Sequence, residues 1–476
     1  MKIRKILLIN PPGSIYVQPD GTRQTKEFYF PLGLAYLAAS LSNDEKYVIR
    51  IYDMVIENYE QEITISDDII LYGASFEDYS KVLEEFDPDL VGISCILSSR
   101  SGFVLKLLEI TKWFNKNIIT VTGGHHATAL PEHLLRANAD YVFLGESDYS
   151  FRAFVEAINE NGDVSKIDGL AYLDKSTGNI VTQPKTNYIK NVDNLPYPAW
   201  DIVDLKKYWR GYLAMNAPGS MNKKIGTVMS SRGCPHYCEY CAVPGHTGVR
   251  NYRARDIDKV IDEIRWLINT YGVEEIHFAD DNFFVNKLRI KKLLRRLIAE
   301  FPCITYAVPT GADLPNLDFE IIDLLKEAGF TSIYTGIETG AEENVGKFID
   351  KRINVKDTIE KINYLKKVGI ETIGFFLLGF PDETREQIKQ TVELAESLPL
   401  DKFYLIMVTP LPGSKLYDYC KKNDLLHEDF DITKVRYANT FIKNSNISRS
   451  ELEGIRKSVW EKHFGNKYRP LKVNKD

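Results

Sequence analysis

The stretch that decides the fold is Cys234-Pro235-His236-Tyr237-Cys238-Glu239-Tyr240-Cys241, which follows a predicted strand from Ile225 to Ser230. It places three cysteines at CxxxCxxC spacing. Three thiolates can hold three irons of a 4Fe-4S cluster, which leaves the fourth iron without a protein ligand and able to bind a substrate or cofactor. The stretch therefore predicts an iron–sulfur site at the end of a strand.

Two other uses of these cysteines remain open from the residues alone. A zinc site would need a fourth ligand, which His236 or His246 could supply, although two-plus-two ligand spacing is the usual zinc pattern. A disulfide is disfavoured, because six cysteines in 476 residues without a signal peptide indicate a reducing compartment. The spacing therefore favours the cluster.

Composition excludes several classes of protein. With 44% hydrophobic and 26% charged residues, the chain has the make-up of a soluble globular protein. The formal charge of −6 is spread thinly and no basic arm is present, so we expect no nucleic-acid partner. No apolar run reaches the roughly 18 residues of a membrane span. We expect a cytoplasmic protein of about three domains.

The first domain is predicted over residues 1–160. Short β-rich runs alternate there with helical patterns at Leu32–Leu41, Val104–Phe114 and Phe151–Ile158, which is typical of a parallel sheet with crossover helices. The predicted strands are Lys5–Ile9, Val48–Tyr52, Leu90–Ser94, Ile118–Thr122 and Tyr141–Leu144. This order indicates an α/β, doubly wound, Rossmann-like domain that binds ligands at the carboxyl ends of its strands.

The alternation stops over residues 161–222, which we interpret as a connecting subdomain. Gly169–Pro184 has the pattern of a hairpin around Ser176-Thr177-Gly178-Asn179. The run Leu195-Pro196-Tyr197-Pro198 can continue neither a helix nor a central strand.

Residues 223–415 return to a βα pattern with a longer repeat. Six strands are predicted at Ile225–Ser230, Glu275–Ala279, Ile304–Val308, Ser332–Ile337, Thr372–Leu378 and Phe403–Thr409. Six βα units make a partial barrel of the TIM type, whose active sites gather at the carboxyl ends of the strands. The cysteine run lies at that edge. Residues 416–476 are predicted to be a small helical segment, either a lid or a packing appendage.

The cysteine run, with Tyr240 before its last cysteine and Arg232-Gly233 before its first, resembles the radical S-adenosylmethionine (SAM) superfamily. The resemblance implies that Cys234, Cys238 and Cys241 hold the cluster and that Tyr240 lies in the SAM site. It also implies that the loop after the second barrel strand, with Asp280 and Asp281, receives the amino group of SAM. The residues alone allow a turn or a helix cap there, and which aspartate makes the contact is open.

Two further strand ends are predicted to meet SAM. A buried glutamate without a partner is costly, so Glu338 should face a ligand or a cation. The resemblance implies a bond to the ribose hydroxyls, and Lys351 is the alternative partner. Gly379 permits close approach of the backbone to a ligand, and the resemblance implies packing against adenine.

The first domain carries a second set of motifs. Ser94 ends a predicted strand, and a glycine pair follows the next strand. With this spacing they resemble the motifs of cobalamin-binding domains, and so extend the match to cobalamin-binding radical SAM enzymes. The implied cobalamin-binding residues are Ser94, Gly123, Gly124, His125, Gly145 and Glu146.

The histidine that would ligate cobalt from below is missing, because the first strand ends in Asn10-Pro11-Pro12-Gly13 instead of an Asp-x-His-x-x-Gly motif. We therefore expect cobalamin without a histidine beneath the metal. His125 and His126 are interpreted as tail-pocket or helix-start residues in preference to cobalt ligands.

The resemblance implies an enzyme that uses a 4Fe-4S cluster, SAM and cobalamin. The leading hypothesis is a methyltransferase acting on an unactivated carbon of a small-molecule or lipid-like substrate, in which one SAM methylates cobalamin and a second supplies a 5′-deoxyadenosyl radical. An electron donor such as flavodoxin or ferredoxin is implied. The alternative is a cobalamin-dependent cyclase, oxidase or rearrangement enzyme without methyl transfer.

Two hypotheses from other classes are weaker. A tRNA-modifying methylthiotransferase would need cysteines for a second cluster in the first domain, where only Cys95 occurs within residues 1–160. A non-catalytic cobalamin or redox sensor would not need Asp280, Asp281 and Glu338 at successive strand ends.

Overall fold

The computed structural model describes residues 2–17, 23–24, 26–42, 44–209 and 223–465. The ends of the predicted connecting subdomain, 210–222, and of the predicted C-terminal segment, 466–476, lie outside the described residues. Two parallel sheets, one in each half of the chain, confirm the predicted α/β architecture.

Ten strands lie in the described residues of the first half. They are β1 (Lys5–Asn10), β2 (Gly13–Tyr16), β3 (Val48–Asp53), β4 (Glu62–Ser66), β5 (Ile69–Tyr72), β6 (Leu90–Ser94), β7 (Ile119–Gly123), β8 (Tyr141–Phe143), β9 (Leu170–Leu173) and β10 (Ile180–Thr182). Seven form one sheet in the order β10-β9-β8-β7-β6-β1-β3. Five of these strands run parallel, as predicted, so their carboxyl ends form one edge; they are β8, β7, β6, β1 and β3.

The predicted hairpin is present as β9 and β10, but it does not stand apart from the first domain. Strand β9 pairs antiparallel with β8, and β10 pairs antiparallel with β9. The first sheet therefore continues beyond residue 160, where the sequence pattern indicated a separate subdomain.

No element is predicted from the sequence between Tyr52 and Leu90, where the structure has two strands and two helices. Strands β4 and β5 form a small antiparallel sheet with β2. The helix Phe76–Phe86 begins with a capping box between Ser75 and Asp78. The residues of β4 are nearly all exposed and do not alternate between buried and exposed, so the sequence gives no clear strand signal there.

Eight strands lie within residues 223–465. They are β11 (Ile225–Val228), β12 (Ser231–Arg232), β13 (Arg253–Ala254), β14 (Glu275–Phe278), β15 (Thr305–Ala312), β16 (Phe330–Glu338), β17 (Glu371–Leu378) and β18 (Lys402–Met407). Six of them form a parallel sheet in the order β11-β14-β15-β16-β17-β18, which is their order along the chain. This is the predicted partial barrel.

Helices cover both sheets. They are α1 (Leu32–Ser42), α2 (Met54–Glu57), α3 (Phe76–Phe86), α4 (Ser101–Phe114), α5 (His125–Ala129), α6 (Pro131–Leu135), α7 (Asp148–Glu160), α8 (Leu205–Tyr208), α9 (Val243–Thr247), α10 (Ile257–Tyr271), α11 (Lys287–Glu300), α12 (Phe319–Ala328), α13 (Val355–Val368), α14 (Arg385–Ser397), α15 (Lys415–Lys422) and α16 (Arg449–Phe464). Helices α10, α12 and α13 end at Gly272, Gly329 and Gly369, each in the left-handed conformation that glycine adopts without strain. None of the helices in the described part of the chain is long and apolar enough to cross a membrane.

The C-terminal segment lies across the last barrel strands. Arg456 Nε donates to the Leu405 carbonyl of β18 at 2.9 Å. The Met407 amide at the end of the same strand donates to the Tyr437 carbonyl at 2.8 Å. Lys434 reaches Asp68 of the N-terminal half at 3.7 Å. The segment therefore packs on the barrel and also touches the first domain.

Candidate active site

The cysteine loop begins at the carboxyl end of the first barrel strand. Strands β12 and β13 pair antiparallel and join the two ends of the loop, with Arg232 opposite Arg253. Gly233 has a φ of +78°, and a Cβ on it would lie 2.0 Å from the Asn251 carbonyl oxygen. Only glycine fits this position directly before the first cysteine.

The three cysteine thiols lie in a desolvated environment with amide donors. Burial raises the pKa of the Cys238 thiol to about 11 and that of the Cys241 thiol to about 12. The Asp350 amide donates to Cys238 Sγ at 3.3 Å, and Asn282 Nδ2 donates to Cys234 Sγ at 3.7 Å. Such thiols keep their protons until a metal replaces them, and N–H donors to sulfur are what iron–sulfur clusters use. The donor set fits a cluster.

The zinc alternative would need four ligands that converge on one ion. Among the described residues, no three His, Cys, Asp or Glu side chains converge so that they could hold a single metal ion. A structural zinc site needs four ligands around one ion, whereas each thiolate of an iron–sulfur cluster binds a different iron.

The two aspartates after β14 have different surroundings. Asp280 is fully buried, and its oxygens accept hydrogen bonds from the Ser230 amide at 2.7 Å, the Ser230 hydroxyl at 2.7 Å and the Ser231 hydroxyl. Desolvation raises the pKa of Asp280 to about 6, against the pull of these donors. Asp280 therefore holds the start of the cysteine loop, and its oxygens are occupied.

Asp281 is the aspartate that faces open space. One of its oxygens accepts from the Gly233 amide at 2.8 Å. Its side chain is exposed, yet desolvation raises its pKa. Asp281 is thus accessible where Asp280 is fully buried. Of the two candidates, Asp281 is therefore the one placed to meet a ligand.

Two acceptor oxygens near Asp281 were not singled out from the sequence. Asn282 and Asp313 are buried beside Cys234, and Nδ2 of Asn282 donates to Asp313 Oδ2 at 3.4 Å. Oδ1 of each residue has no partner among the described residues. Orphaned buried acceptors next to the cysteine loop fit a ligand that donates hydrogen bonds, such as the amino group of SAM. Asp313 escaped notice because it follows β15 without a recognisable motif.

Glu338 ends β16 with a φ of +71°, a strained conformation for a non-glycine residue. Its carboxylate pairs with the Lys351 ammonium, so the cation named as its alternative partner is in place. Tyr240 is near enough that the charge of Glu338 contributes, after desolvation, to raising the tyrosine pKa. A Cβ on Gly336 would lie 2.2 Å from Glu338 Oε1 and 3.0 Å from Lys351 Nζ, so this glycine makes room for the ion pair.

Gly379 is placed differently from its predicted role beside adenine. It has a φ of +92°, and a Cβ on it would lie 2.7 Å from Leu452 Cδ2 of α16. Its amide donates to Glu383 Oε2 at 2.6 Å. The open side of Gly379 is therefore filled by the C-terminal helix, and what it permits is helix packing.

In the first domain, the glycine pair brings two strand ends together. Ser94 and Gly123 are register partners at the ends of β6 and β7. Gly124 has a φ of +110°, and a Cβ on it would lie 2.8 Å from the Cys95 carbonyl oxygen, whereas one on Gly123 would have 3.7 Å of room. Gly124 therefore serves backbone packing, and Gly123 leaves the space beside the strand open.

The histidine that follows the pair meets the barrel. The rings of His125 and His246 stack with centroids 4.3 Å apart. Thr128 Oγ1 lies 3.2 Å from His246 Nδ1. His125 Nδ1 is buried without a partner among the described residues. His126 is bound within the domain, 2.9 Å from the Ser98 hydroxyl and 3.0 Å from a ring nitrogen of His133.

Ion pairs join the first domain to the base of the cysteine loop. Arg253 binds both carboxylate oxygens of Glu146 at 2.7 Å. Arg232 binds both oxygens of Asp148 at 2.7 and 3.0 Å. Glu146, predicted to contact cobalamin, therefore forms an ion pair with Arg253. At the neighbouring Gly145, a Cβ would lie 3.0 Å from the His246 carbonyl oxygen. The sequence analysis missed this interface, because no pattern pairs residues so distant along the chain.

The edge of the first sheet that faces the barrel fits a large, partly apolar ligand. Ile96 and Leu97 follow β6 and are 52% and 40% exposed. A cobalt-ligating histidine would be expected near Asn10. The side-chain amide of Asn10 donates a hydrogen bond to Asp53 at 2.8 Å. The apolar edge suits the corrin of cobalamin, and Asn10 is not available to the metal.

Comparisons with known proteins agree with this arrangement. The family model for the radical SAM superfamily matches residues 228–395, and that for the B12 binding domain matches residues 22–155. A protein of Pyrococcus horikoshii, described as an uncharacterized methyltransferase, is 33% identical over 429 residues, which are 90% of this chain and 85% of the relative. The chain belongs to the cobalamin-binding radical SAM family.

Other members of the cobalamin-binding radical SAM family extend the comparison. The cytidylyl-2-hydroxyethylphosphonate methyltransferase of Streptomyces wedmorensis is 29% identical, over 92% of this chain and 85% of the relative. The anaerobic magnesium-protoporphyrin IX monomethyl ester cyclase of Rubrivivax gelatinosus is 27% identical, over 84% of this chain and 71% of the relative. The radical SAM methyltransferase TsrM of Kitasatospora setae, solved with cobalamin and a 4Fe-4S cluster, shares the fold at a TM-score of 0.69 and 18% identity, over 95% of this chain and 84% of that one.

Membership in this family makes the protein a radical SAM enzyme that uses a 4Fe-4S cluster, SAM and cobalamin. The residues named above fit these three groups. Asp281 and Asn282 contact the cysteine loop, and Asp313 contacts Asn282.

Proposed function

We propose that the protein transfers a methyl group from SAM, by way of cobalamin, to an unactivated carbon of a small-molecule or lipid-like substrate. The observation that carries the proposal is the direct attachment of the cysteine loop to the first domain. Arg232 and Arg253 at the base of the loop bind Asp148 and Glu146, which follow β8. The radical-forming site and the cobalamin edge therefore face the same space.

The bound groups supply the reactive chemistry: the cluster with SAM supplies a 5′-deoxyadenosyl radical, and cobalamin carries the methyl group. The chain supplies position and shelter from water. Cys234, Cys238 and Cys241 hold the cluster, and Asp281 with the free oxygens of Asn282 and Asp313 receives the amino group of SAM.

The ribose contact of Glu338 depends on its ion pair. Glu338 is 5% exposed and already binds Lys351. The pair can orient the carboxylate while one of its oxygens accepts from the ribose hydroxyls. Tyr240, beside Glu338, would form part of the same wall. Their predicted roles in SAM binding remain part of this proposal.

The relatives favour methyl transfer over the alternative. The relatives at 33% and 29% identity are both described as methyltransferases. The cyclase at 27% identity keeps the second candidate open, namely a radical reaction without methyl transfer. Either reaction would act on a small-molecule or lipid-like substrate, which a space between two domains can hold.

The reaction also implies a partner and a compartment. Each radical cleavage of SAM needs one electron, so we propose a low-potential donor such as flavodoxin or ferredoxin. Six cysteines in 476 residues favour a reducing compartment, and we propose that the protein works in the cytoplasm.

The test is reconstitution under anaerobic conditions with iron, sulfide and cobalamin, followed by incubation with an extract of the source cells and SAM carrying a trideuterated methyl group. We expect S-adenosylhomocysteine, 5′-deoxyadenosine and a product that has gained the labelled methyl group. A cyclase or oxidase would form 5′-deoxyadenosine and a product without label. Absence of 5′-deoxyadenosine would contradict both candidates.

A further inference from the structure

A chain of hydrogen bonds runs from the cysteine loop through the ends of two barrel strands and back to the same loop. Asn282 lies in the loop after β14, and its Nδ2 donates to Cys234 Sγ at 3.7 Å and to Asp313 Oδ2 at 3.4 Å. Asp313 directly follows β15, and the same oxygen lies 2.8 Å from His236 Nε2. The contacts therefore tie the start of the cysteine loop to β14 and β15 at two points.

The nitrogen of the Asn282 amide contacts two acceptors. A primary amide carries two N–H donors on its nitrogen and acceptor lone pairs on its oxygen, so the nitrogen has a donor for the sulfur and another for the carboxylate. Asn282 Oδ1 is buried without a partner among the described residues. The amide therefore presents its donor end, and not its acceptor end, to Cys234.

The Asp313 carboxylate keeps the amide in this orientation. Rotation of the amide group by half a turn would place Asn282 Oδ1 against Asp313 Oδ2, and an ionised carboxylate offers acceptors only. The carboxylate itself is held by further contacts, because Asn316 Nδ2 donates to the same oxygen at 2.8 Å and His236 lies on it as well. Asp313 therefore aims the Asn282 N–H group at the sulfur.

These groups are shielded from water. Asn282 and Asp313 are each 3% exposed, and Cys234 is half-buried. A hydrogen bond is electrostatically stronger in the low dielectric of a protein interior than in water. Water therefore cannot easily replace the N–H contact to the sulfur, and the contact acts on a sulfur that has few other donors within reach.

An N–H donor to a cysteine sulfur changes the reduction potential of the cluster that the sulfur holds. Reduction adds negative charge to the cluster and its thiolates, and a donor stabilises the more negative state more than the less negative one. Hydrogen bonds to the sulfurs are among the features that set the potentials of iron–sulfur clusters. A donor at Cys234 therefore raises the potential and makes the cluster easier to reduce.

We propose that Asn282 sets the reduction potential of the cluster through its N–H contact to Cys234, and that Asp313 is the positioning residue for this amide. The raised potential helps an external donor to deliver the electron that cleaves SAM. The assignment rests on Cys234 as a cluster ligand, which is part of the proposed function. It applies equally to methyl transfer and to a radical reaction without it.

A competing role for Asn282 is mechanical, namely to hold the cysteine loop without any effect on the electronic state of the cluster. Asn316 allows a test between the two roles. Its amide donates to the same Asp313 oxygen as that of Asn282, but Asn282 alone of the two also donates to a sulfur. A variant of Asn316 therefore disturbs the carboxylate and leaves the N–H contact to the sulfur in place.

The experiment is a potentiometric titration of the full-length chain loaded with iron, sulfide and cobalamin. It is carried out without SAM, because Asn282 Oδ1 is also a proposed SAM contact. The variants are Asn282→Leu, which keeps the approximate shape and removes the donor, and Asn282→Asp, which replaces the donor with an acceptor. Asn316→Leu is the matched control. The readout is the paramagnetic resonance signal of the reduced cluster.

We expect the potential to fall in both variants of Asn282. At the wild-type midpoint, the ratio of reduced to oxidised cluster should be about tenfold lower in Asn282→Leu, which is a shift of about 59 mV for one electron. Asn282→Asp should shift at least as far, because its carboxylate would add negative charge beside the sulfur. The ratio for Asn316→Leu should stay within twofold of wild type.

A second measurement detects the hydrogen bond itself. Electron–nuclear double resonance on the reduced cluster reports exchangeable protons close to the iron and sulfur atoms. We expect one coupled exchangeable proton fewer in Asn282→Leu than in wild type, and the wild-type pattern in Asn316→Leu. A purely mechanical role would leave this pattern unchanged.

Each other outcome decides against the assignment. An unchanged potential in both Asn282 variants would overturn it, and equal shifts in Asn282→Leu and Asn316→Leu would replace it with a general effect of the contacts around Asp313. Loss of iron from both Asn282 variants would show a structural role. Full iron and sulfide content in Cys234→Ala would remove the ligand on which the assignment rests, without bearing on methyl transfer.

Discussion

Arg232 and Asp148 lie 84 positions apart in the chain and form a two-point ion pair, with N–O distances of 2.7 and 3.0 Å, across the boundary between the two domains. Both side chains are nearly inaccessible, at 12% and 7%. The guanidinium also lies over the Tyr36 ring, 4.8 Å from its centroid. This contact fixes the cysteine loop, whose first cysteine is Cys234, against the loop that follows β8.

Replacing Asp148 with asparagine should lower the free energy of unfolding by about 3 kcal/mol at neutral pH, because the Arg232 charge is left unpaired. Burial opposes ionisation of Asp148, but the Arg232 charge outweighs it and holds the pKa of Asp148 below its usual value. The stabilisation is therefore present above about pH 4 and is lost as the pH falls through the lower folded-state pKa.

The measurement for Asp148→Asn is denaturant unfolding of wild type and variant between pH 7 and pH 3. The difference between them should stay constant down to about pH 4 and then shrink. The matched control is Glu132→Gln, whose pair with Arg136 is exposed and contributes at most about 0.5 kcal/mol. A difference that grows towards acid pH would contradict the assigned sign.

The Glu338–Lys351 pair predicts that Glu338→Ala has two effects. It removes a proposed SAM contact, and it leaves a largely buried ammonium without its partner, at a cost of about 3 kcal/mol even without SAM. From the sequence alone, only the first effect was expected. The double variant Glu338→Gln, Lys351→Met should recover much of the lost stability, because both charges are gone.

Unfolding of the SAM-free protein and equilibrium binding of SAM separate these two effects. We expect the single variant to lose both stability and affinity for SAM. The double variant should lose affinity for SAM only, by about tenfold to a hundredfold. If the double variant binds SAM like wild type, Glu338 acts only as the partner of Lys351.

Each cluster cysteine should be essential. Alanine at Cys234, Cys238 or Cys241 should abolish formation of 5′-deoxyadenosine and lower bound iron and sulfide after reconstitution, because two thiolates hold the cluster poorly. Cys303→Ala is the control, since that thiol is exposed and lies near the opposite end of β15. A cysteine variant that still cleaves SAM at near wild-type rate would remove that residue from the ligand set.

The glycine pair predicts two different alanine variants. Gly124→Ala should destabilise the first domain, because its Cβ would meet the Cys95 carbonyl at 2.8 Å and its φ is +110°. Gly123→Ala should fold normally, because its Cβ has 3.7 Å of room, and should weaken cobalamin binding if the corrin tail uses that space. Thermal unfolding and cobalamin titration test both, and a folded Gly124→Ala with unchanged stability would be inconsistent with this packing.

Bound cobalamin should lack a histidine beneath the metal. The chain after β1 offers Asn10 and two prolines, and Asn10 is bound to Asp53. We expect the paramagnetic resonance spectrum of the cob(II)alamin form to show no nitrogen superhyperfine splitting from an axial imidazole. Such splitting, lost on His125→Ala, would instead identify His125 as a ligand.

The parallel strands could be predicted from the sequence, because β-rich runs alternate with helices of 3.6-residue periodicity, such as Ile257, Val260, Ile261 and Ile264 on α10. The cysteine loop was predictable because its spacing is local. The small sheet of β2, β4 and β5 was not, because β4 is exposed on nearly every residue and has no alternation.

Roles that depend on distant partners were beyond prediction. Asp280 and Asp281 are adjacent and chemically identical in sequence, and only the positions of Ser230 and Gly233 tell them apart. Likewise, the ion pair of Glu146 with Arg253, 107 residues later, could not be read from the sequence, and the cobalamin contact of Glu146 stays a prediction.

The paired arginines at the base of the cysteine loop have a consequence for protein engineering. Arg232 and Arg253 require their acidic partners from the first domain, so the two halves of this chain are not independent modules. A hybrid enzyme that takes its cobalamin domain from another member of the family should keep acidic residues at positions 146 and 148. A graft without them would leave both buried arginines of the barrel half without their partners, and the hybrid would assemble poorly even if each half folded well.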